Sequence, residues 1–254
     1  MAKKKVLLTK IFRNEEFASE ARHGGLEKLG ELAELQDYDG ELTGAEAPGV
    51  VGVIANSASI HDSFYEEGED LRIVARWGVG YENANVEAAT KNGVLVTITP
   101  VHMDTVAEYA ITQWLATMKR VYTLNRLSHG GDFSIIRTYD AQGSTLGIYG
   151  FGRIGQEVAM RARPLLGEDG RLLVYDIRPD IGELAAKLGA ESVDDPMTLF
   201  RECDTVSLHV SGEDTIVTYD NLCAMKPHAS LINPSRGLLV NDEDVNRAIA
   251  EDRL

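Results

Sequence analysis

The stretch 145–159, TLGIYGFGRIGQEVA, constrains the fold of this 254-residue chain more than any other. It begins with an apolar run of strand length and ends with apolar residues at helical spacing. Between them stand Gly150, Gly152 and Gly155, in the pattern G-x-G-x-x-G. A glycine turn in this context lets a pyrophosphate approach the backbone, and the following helix offers its N–H groups and positive dipole end to the phosphates. The stretch therefore predicts a dinucleotide-binding turn.

A second apolar run, residues 171–175, ends in Asp176, at the distance beyond Gly155 where a carboxylate can bond the hydroxyls of the adenosine ribose. An aspartate here repels a 2′-phosphate and therefore favours NAD over NADP. Arg178, two residues further on, keeps binding of both coenzymes possible. The alternative is an ordinary glycine turn with a solvated acid. It is the less favoured interpretation, because strand, helix, second strand and acid follow one another in the required order.

Composition and charge narrow the functional class. The net charge of −15 argues against nucleic acid or an anionic membrane as partner. Cys203 and Cys223 stand in apolar surroundings without metal-ligand spacing, which predicts reduced thiols buried in the core, no metal site and a cytoplasmic location. Residues 3–8 contain too short an apolar run for a signal peptide and predict a first strand, and no run approaches membrane-spanning length.

The first hundred residues alternate between strand and helix patterns. The predicted strands are 6–9, 50–55, 71–75 and 94–98, and the predicted helices are 17–35 and 85–91. This alternation predicts a small parallel sheet, whose ligands lie at the carboxyl ends of the strands. The residues expected there are Ser57, after the second strand, and Gly78, Val79 and Gly80, after the third.

The remainder continues the same alternation. The segment 103–120 has the longest helical pattern and is interpreted as a connector, whereas 128–142 is either an arm that reaches a second subunit or a surface loop. Further helices are predicted at 181–188, 196–201, 220–225 and 242–250, the last capped by Asn241, and strands at 192–193, 205–209 and 230–233. The fold class is therefore α/β, with two doubly wound parallel-sheet domains.

Five ordered segments resemble those of the D-isomer-specific 2-hydroxyacid dehydrogenases. They are RWGVGYEN at 76–83, VAE at 106–108, the glycine motif with Asp176, LHV at 208–210, and MKP at 225–227 followed by LINPSRG at 231–237. The resemblance covers nearly the whole chain. It implies a flavodoxin-like substrate-binding domain over 1–102 and a Rossmann NAD-binding domain over 103–254, with 103–120 as the linker helix and the second sheet incomplete at its C-terminal end.

The resemblance also implies site residues. Arg236 matches the family's catalytic arginine, whose planar, multidentate cation suits a substrate carboxylate. The amides of Gly78, Val79 and Gly80 are expected on the other side of that carboxylate. The implied cofactor contacts, besides the three glycines, are Arg153, Ile154, Asp176, His209, Val210, Pro234 and Ser235. For His209, a packing role is the favoured alternative.

The sequence also departs from the family pattern. The family's glutamate and acid-base histidine lie downstream of the arginine, and this sequence reaches Leu254 before either. Two interpretations follow: a piece of a longer enzyme, which is favoured, or a naturally short chain that binds cofactor without turnover. Glu82 in the first segment and Asn85 just after it replace aspartates, and a serine and a glycine at 211–212 replace the proline and leucine after LHV.

Together these features predict a cytoplasmic, homodimeric, NAD-dependent oxidoreductase. It would transfer a hydride between nicotinamide and a small anionic D-2-hydroxy acid or its 2-keto partner. A phosphorylated or phosphonate analogue is a further possible substrate. The alternative is an NAD(H)-sensing interaction protein of the corepressor type.

Overall fold

The computed structural model describes residues 4–9, 25–101, 103–212 and 214–253. It contains two parallel sheets, one in each half of the chain. The chain divides into two compact units, Met1–Val101 and His102–Leu254. Every strand pairing within the two sheets is parallel, as expected for strands that alternate with helices.

The sheet of the first unit has the strand order β2-β1-β3-β4-β5, which is the flavodoxin-like order. Its strands are β1 (Lys4–Thr9), β2 (Ala33–Tyr38), β3 (Val50–Ala55), β4 (Ile73–Arg76) and β5 (Leu95–Thr97). Its helices are α1 (Glu27–Leu32), α2 (Asp62–Glu66) and α3 (Val86–Lys91). The core lies between the sheet and these helices, and Phe64, Tyr65 and Leu71 are its largest fully buried side chains together with Leu42 and Leu7. This places the predicted ligand edge at the ends of β3 and β4.

One predicted helix of this unit is partly wrong. The leucine spacing at 26–35 predicts a helix, but α1 ends at Leu32 and the chain continues directly into β2. All six residues of β2 pair with β1, from Ala33 opposite Lys4 to Tyr38 opposite Thr9. Because this pairing joins distant residues, it overrides the local helical pattern. The part of the predicted helix over 17–24 lies outside the described residues.

The sheet of the second unit has the order β10-β9-β6-β7-β8. Its strands are β6 (Thr145–Tyr149), β7 (Arg171–Tyr175), β8 (Glu191–Ser192), β9 (Thr205–Leu208) and β10 (Ser230–Ile232). Within this sheet the chain passes first through the central β6, then outward through β7 to β8, and then crosses to β9 on the other side of β6. Numbered from β6, the strand order is the 3-2-1-4-5 order of a Rossmann sheet. The direction of winding therefore reverses between β6 and β9, and a crevice at this switch point is where such sheets bind ligands.

Seven helices of the second unit are described. They are α4 (Met103–Met118), α5 (Val121–His129), α6 (Arg153–Leu166), α7 (Gly182–Lys187), α8 (Met197–Glu202), α9 (Tyr219–Ala224) and α10 (Asp242–Ala250). The last begins as predicted, because the Asn241 side chain accepts a hydrogen bond from the Asp244 N–H at 3.0 Å. The predicted strands and helices after residue 145 are all present, within two residues at each end.

The long helix differs from its prediction in length and in its buried face. It stops at Met118, because Arg120 takes a left-handed conformation (φ 51°), and α5 follows over residues for which the sequence predicted no helix. Ala107, not Val106, joins Ala110, Trp114 and Met118 in the core of the second unit. The helix is thus an integral part of that unit, and its proposed role as an interdomain linker stays a prediction.

The cysteine prediction is only half right. Cys203 is fully buried, and burial raises the pKa of its thiol to about 12, as expected for an inert core cysteine. Cys223 is only half-buried, because it lies on α9 near the surface. Both thiols are free. Among the residues that the structure describes, no helix is both long and apolar enough to cross a membrane.

Candidate nucleotide-binding site

The glycine turn lies where β6 and β9 end side by side. Gly150 follows β6 with a φ of +96°, a conformation that side chains rarely adopt. A Cβ at this position would lie 2.6 Å from the carbonyl oxygen of His209 and 2.7 Å from Cγ1 of Val210. The turn therefore packs directly on the end of β9, and only glycine permits this approach.

The other two glycines meet different requirements. A Cβ on Gly155 would lie 2.2 Å from the carbonyl oxygen of Gly150, so this glycine lets α6 pack against the turn. A Cβ on Gly152 would meet nothing within 4 Å, so no internal contact requires this glycine. The helix α6 begins directly after it without a side-chain cap. Open space in front of an uncapped helix N-terminus is an arrangement suited to a phosphate group.

Arg153 and Ile154 form the start of α6. Arg153 is exposed, whereas Ile154 is half-buried and packs on the hydrophobic core. The guanidinium of Arg153 is therefore available to solvent beside the helix N-terminus. The packing of Ile154 positions the first turn of the helix.

Asp176 lies at the end of β7 beside the glycine turn, with only 11% of its side chain exposed. Its Oδ2 accepts a hydrogen bond from the N–H of Phe151 at 2.7 Å. Burial favours the neutral carboxyl, but the hydrogen bonds from Arg178 and Phe151 outweigh it and hold the pKa of Asp176 below its ordinary value. Asp176 is thus a largely buried anion in contact with the turn, and its predicted role toward a ribose stays a prediction.

Arg178 connects the same acid to the same turn. Its Nε lies 3.0 Å from Oδ1 of Asp176, and its Nη2 donates to the carbonyl of Phe151 at 2.9 Å. The backbone N–H and carbonyl of Phe151 are therefore both held, one by the acid and the other by the guanidinium. A cavity of about 240 Å³ adjoins the pair, and it is lined by Tyr175, Ile177, Pro179, Ile181, Gly182, Ser192, Val193 and Asp194 as well.

His209 is neutral and tightly held. Its Nε2 lies 2.8 Å from the Ser207 hydroxyl, and its Nδ1 is buried without a hydrogen-bond partner among the described residues. Burial lowers the pKa of His209 to about 4. An uncharged, enclosed imidazole shapes the end of β9 but supplies no positive charge to a ligand, which agrees with the packing alternative.

The buried state of His209 makes stability depend on pH. Because its pKa falls from 6.5 in the unfolded chain to about 4 in the folded one, the unfolded state binds the proton first as pH falls. We expect the free energy of unfolding to drop by about 3 kcal/mol between pH 6.5 and pH 4 from this group alone. Urea unfolding at several pH values measures it. His209→Gln should flatten the curve by that amount and His129→Gln, at the exposed end of α5, should not; equal curves for wild type and His209→Gln would contradict the assignment.

The loop after β10 carries three predicted residues. Its shape comes from Asn233, whose side chain accepts from the Ser235 N–H at 3.1 Å and donates to the Arg236 carbonyl at 2.7 Å. The Ser235 hydroxyl donates to the carbonyl of Leu208 at 2.8 Å, which ties the loop to the end of β9. Pro234 and Arg236 are both half-buried. The loop is thus fixed beside the crevice at the switch point.

The first unit places its predicted residues on one sheet edge. Ser57 is exposed just beyond β3, and Gly78, with φ +142°, follows the neighbouring β4. The N–H of Gly78 already donates to the Arg76 carbonyl at 3.1 Å, whereas those of Val79 and Gly80 have no hydrogen-bond partner among the described residues. The turn therefore offers two amides rather than the three expected.

The second unit brings most predicted contacts together: the turn, the ends of β7 and β9, and the loop after β10. Three contributors were not identified from the sequence, namely Phe151, Ser207 and Asn233. Phe151 acts through its backbone, which no side-chain pattern reveals. Asn233 had a signal, because an asparagine two residues before a serine in a loop is typical of a side-chain-to-backbone turn.

The residues present fit a dinucleotide. The open space at Gly152 and the uncapped α6 suit a pyrophosphate, and the carboxylate of Asp176 suits a ribose diol. Within the described ranges, no group of three or more His, Cys, Asp or Glu side chains is arranged to hold a metal ion.

Comparison with known proteins extends this picture. Residues 111–254 match the family model of the D-isomer specific 2-hydroxyacid dehydrogenase, NAD binding domain. The chain is 37% identical over 199 residues to a glyoxylate reductase of Thermococcus litoralis, an alignment that covers 73% of this chain and 59% of that enzyme. It is 30% identical over 237 residues to a D-3-phosphoglycerate dehydrogenase of Methanocaldococcus jannaschii, covering 91% of this chain and 42% of that one. The chain thus spans about three fifths or less of the length of these relatives.

The solved structures show the same architecture. The D-lactate dehydrogenase of Aquifex aeolicus, complexed with NAD and lactic acid, superimposes with a TM-score of 0.82 at 23% identity, covering 98% of this chain and 74% of that one. The chain therefore belongs to the D-isomer-specific 2-hydroxyacid dehydrogenase family, and its residues 111–254 correspond to the NAD binding domain of that family.

Proposed function

We propose that this chain binds NAD and takes part in hydride transfer between its nicotinamide and a small D-2-hydroxy acid or 2-keto acid. The observation that carries the proposal is the arrangement at the switch point of the second unit: an open glycine turn, an uncapped helix and the ionised Asp176. The bound coenzyme would supply or accept the hydride. The relatives' names, glyoxylate reductase and D-3-phosphoglycerate dehydrogenase, support a substrate of this class.

We assign distinct positions of the nucleotide to the described residues. Gly150, Gly152 and Gly155 shape the space for the pyrophosphate, with Arg153 and Ile154 at the start of α6. Asp176 holds the ribose diol. The end of β9 and the loop after β10 would enclose the coenzyme, through His209, Val210, Pro234 and Ser235.

Arg236 is the proposed carboxylate anchor. It is half-buried, and its own loop is braced at Asn233 and Ser235, so its position is constrained before substrate arrives. A guanidinium can donate two parallel hydrogen bonds to a carboxylate, and its positive charge polarises a neighbouring carbonyl. We assign proton transfer to none of the described residues, since the one histidine beside the turn, His209, has its Nδ1 buried and its Nε2 bound to Ser207.

The first unit is proposed to contribute substrate contacts of its own. Ser57 and the amides of Val79 and Gly80 lie at the carboxyl ends of neighbouring strands, and unpaired N–H groups of this kind suit an anion. Gly78 serves mainly to give the turn its left-handed geometry.

Coenzyme binding and turnover can be tested separately. Equilibrium titration with NADH, followed by fluorescence, measures binding by the 254-residue chain. NADH oxidation with glyoxylate, pyruvate and a phosphorylated 2-keto acid then measures turnover, in this chain and in the product of the complete gene. Binding with turnover in either form supports the proposal. Binding without turnover in both forms would favour an NAD(H) sensor, and no binding at all would refute the nucleotide site.

A second copy of the chain is the proposed partner, in a cytoplasmic setting that agrees with the two free thiols. The support is an apolar surface formed by α5 and the segment after it, where Tyr122, Phe133 and Ile135 are 59%, 84% and 101% exposed. Such a surface suits a self-association interface.

We expect the double variant Phe133→Glu, Ile135→Glu to sediment as a monomer where the wild type sediments as a dimer, because two charges would be buried in the interface. Leu32→Glu, at a leucine of the first unit that is 78% exposed, serves as the control. Analytical ultracentrifugation measures both. A wild-type chain that is monomeric, or a double variant that still dimerises, would refute this interface.

A further inference from the structure

The side-chain amide of Asn83 joins the two loops of the first unit that carry the proposed substrate contacts. Asn83 ends the segment after β4, and its Nδ2 donates to the carbonyl of Asn56 at 3.0 Å and to that of Ala58 at 2.6 Å. These two residues flank Ser57 in the loop after β3. Both N–H bonds of one amide therefore hold the backbone on either side of Ser57.

The oxygen of the same amide holds the start of the segment after β4. Oδ1 of Asn83 accepts from Nε of Arg76 at 3.2 Å, and Nη1 of that guanidinium donates to the carbonyl of Trp77 at 2.7 Å. A Cβ on Gly78 would lie 3.4 Å from the same Nη1, so the guanidinium packs against the turn. The two ends of 76–83 are thereby joined, with the two amides proposed for the substrate between them.

The partners leave the Asn83 amide one orientation. A guanidinium only donates hydrogen bonds and a carbonyl only accepts them, so the oxygen must face Arg76 and the nitrogen the two carbonyls. An aspartate has the same shape and would keep the bond to Arg76. Its second oxygen would, however, face two carbonyl oxygens that it can only repel. An aspartate therefore breaks one of the two connections and leaves the other.

Backbone bonds join the two loops on either side of Ser57 but not at Ser57 itself. The Trp77 N–H donates to the Ala55 carbonyl at 2.7 Å, and the Ile60 N–H donates to the Asn83 carbonyl at 3.2 Å. Between these two bonds, the exposed Ser57 is held through its neighbours by the Asn83 side chain. The position of Ser57 relative to the turn after β4 thus depends on this one amide group.

We propose that Asn83 is a positioning residue of the substrate site: it holds Ser57 in register with the amides of Val79 and Gly80 before a substrate binds. The inference rests on the proposed function, because it concerns contacts to the same 2-keto acid. Asn83 acts through these neighbours and not on the substrate itself. Contacts that are ordered in advance strengthen binding, because less conformational freedom is lost when the ligand arrives.

Steady-state turnover of glyoxylate with NADH tests this in Asn83→Asp and in Asn83→Ser, which keeps one donor. The measurement uses the 254-residue chain and the product of the complete gene. In a form without turnover, the affinity of the NADH complex for oxamate replaces KM. Asn92→Asp is the matched control: its Nδ2 also donates to a carbonyl, that of Ala88 at 2.9 Å, but at the end of α3. NADH titration and thermal melting accompany every variant.

We expect Asn83→Asp to raise KM for glyoxylate, or the dissociation constant of oxamate, about tenfold, with kcat and NADH affinity within about threefold of wild type. The reason is that the loosened contacts bind substrate and transition state alike. Asn83→Ser should raise KM less, and it decides the question by itself if Asn83→Asp does not fold. A merely structural role gives another pattern: fewer folded molecules lower the apparent kcat, or the number of oxamate sites, and leave KM unchanged.

Three results would overturn this inference alone: an unchanged KM in the Asn83 variants, a loss confined to kcat or to the number of sites, or an equal rise of KM in Asn92→Asp. A wild-type protein that neither turns over glyoxylate nor binds oxamate with NADH, in either form, would overturn the proposed function and this inference with it. The failures of the two proposals are therefore distinguishable.

Discussion

Gly155→Ala is expected to destabilise the protein by about 3 kcal/mol and to abolish coenzyme binding, because the added methyl group cannot be accommodated. Its Cβ would lie 2.2 Å from the Gly150 carbonyl oxygen, which belongs to the backbone and cannot rotate away. Relief requires α6 to shift from the turn, and the shift would disturb Val158 and Ala159, both fully buried in the core below. Urea unfolding measures the stability loss, and NADH titration measures the loss of binding.

Gly152→Ala separates stability from binding. Its Cβ meets nothing within 4 Å and its φ of −70° is open to any residue, so stability should change by no more than about 1 kcal/mol, the scale of an altered helix cap. Its methyl group would nevertheless occupy the space proposed for the pyrophosphate, and NADH affinity should fall at least tenfold. If Gly152→Ala bound NADH normally, or if Gly155→Ala were as stable as wild type, the assignment of these glycines would be wrong.

The second large effect is expected for Arg236→Gln. We predict at least a hundredfold loss in kcat/KM for 2-keto acids, because the charge and the paired hydrogen bonds to the substrate carboxylate are lost together. Where turnover is absent, the affinity of the NADH complex for oxamate gives the same information. NADH affinity itself should stay within about threefold, since the proposed coenzyme contacts are other residues.

Arg236→Lys is the matched variant for that experiment. It keeps the charge but loses the planar fork, so it should recover only part of the lost activity or oxamate affinity. An Arg236→Gln variant within threefold of wild type in both measurements would show that the arginine is structural. A structural role is the alternative, because Nη1 of Arg236 donates a hydrogen bond to the Ser235 carbonyl at 3.1 Å. Melting temperatures of both variants below that of wild type would indicate such a role.

Much of the second unit could be predicted because its signals are local. The strand, turn and helix around Gly150 follow from the hydrophobic period and the placement of the glycines. The side chain of Asn241 caps α10 by accepting a hydrogen bond from the N–H of Asp244, only three positions along the chain. In the structure Gly150 forms the tight turn, Gly155 lets the helix pack closely, and open space lies in front of Gly152.

The incorrect predictions concern segments whose conformation is decided by residues distant in sequence. The strand β2 exists because it pairs along its whole length with β1, although the leucine spacing beside it favours a helix. The break at Arg120 and the helix α5 gave no clear local signal, and the half-buried position of Cys223 depends on what surrounds α9. Local propensity is a weak prior that such tertiary contacts override.

Residue types and their spacing predicted the fold class and the end of the second sheet that is proposed to bind a nucleotide, and the resemblance of five segments predicted the family. Only the tertiary structure decided how the charges at that edge are used. Phe151 has its backbone held by Asp176 and Arg178, and His209 is neutral because it is enclosed rather than because of its neighbours in sequence. The physical reason is that hydrogen-bond geometry and burial depend on three-dimensional distance, which hydrophobic period and motif spacing do not encode.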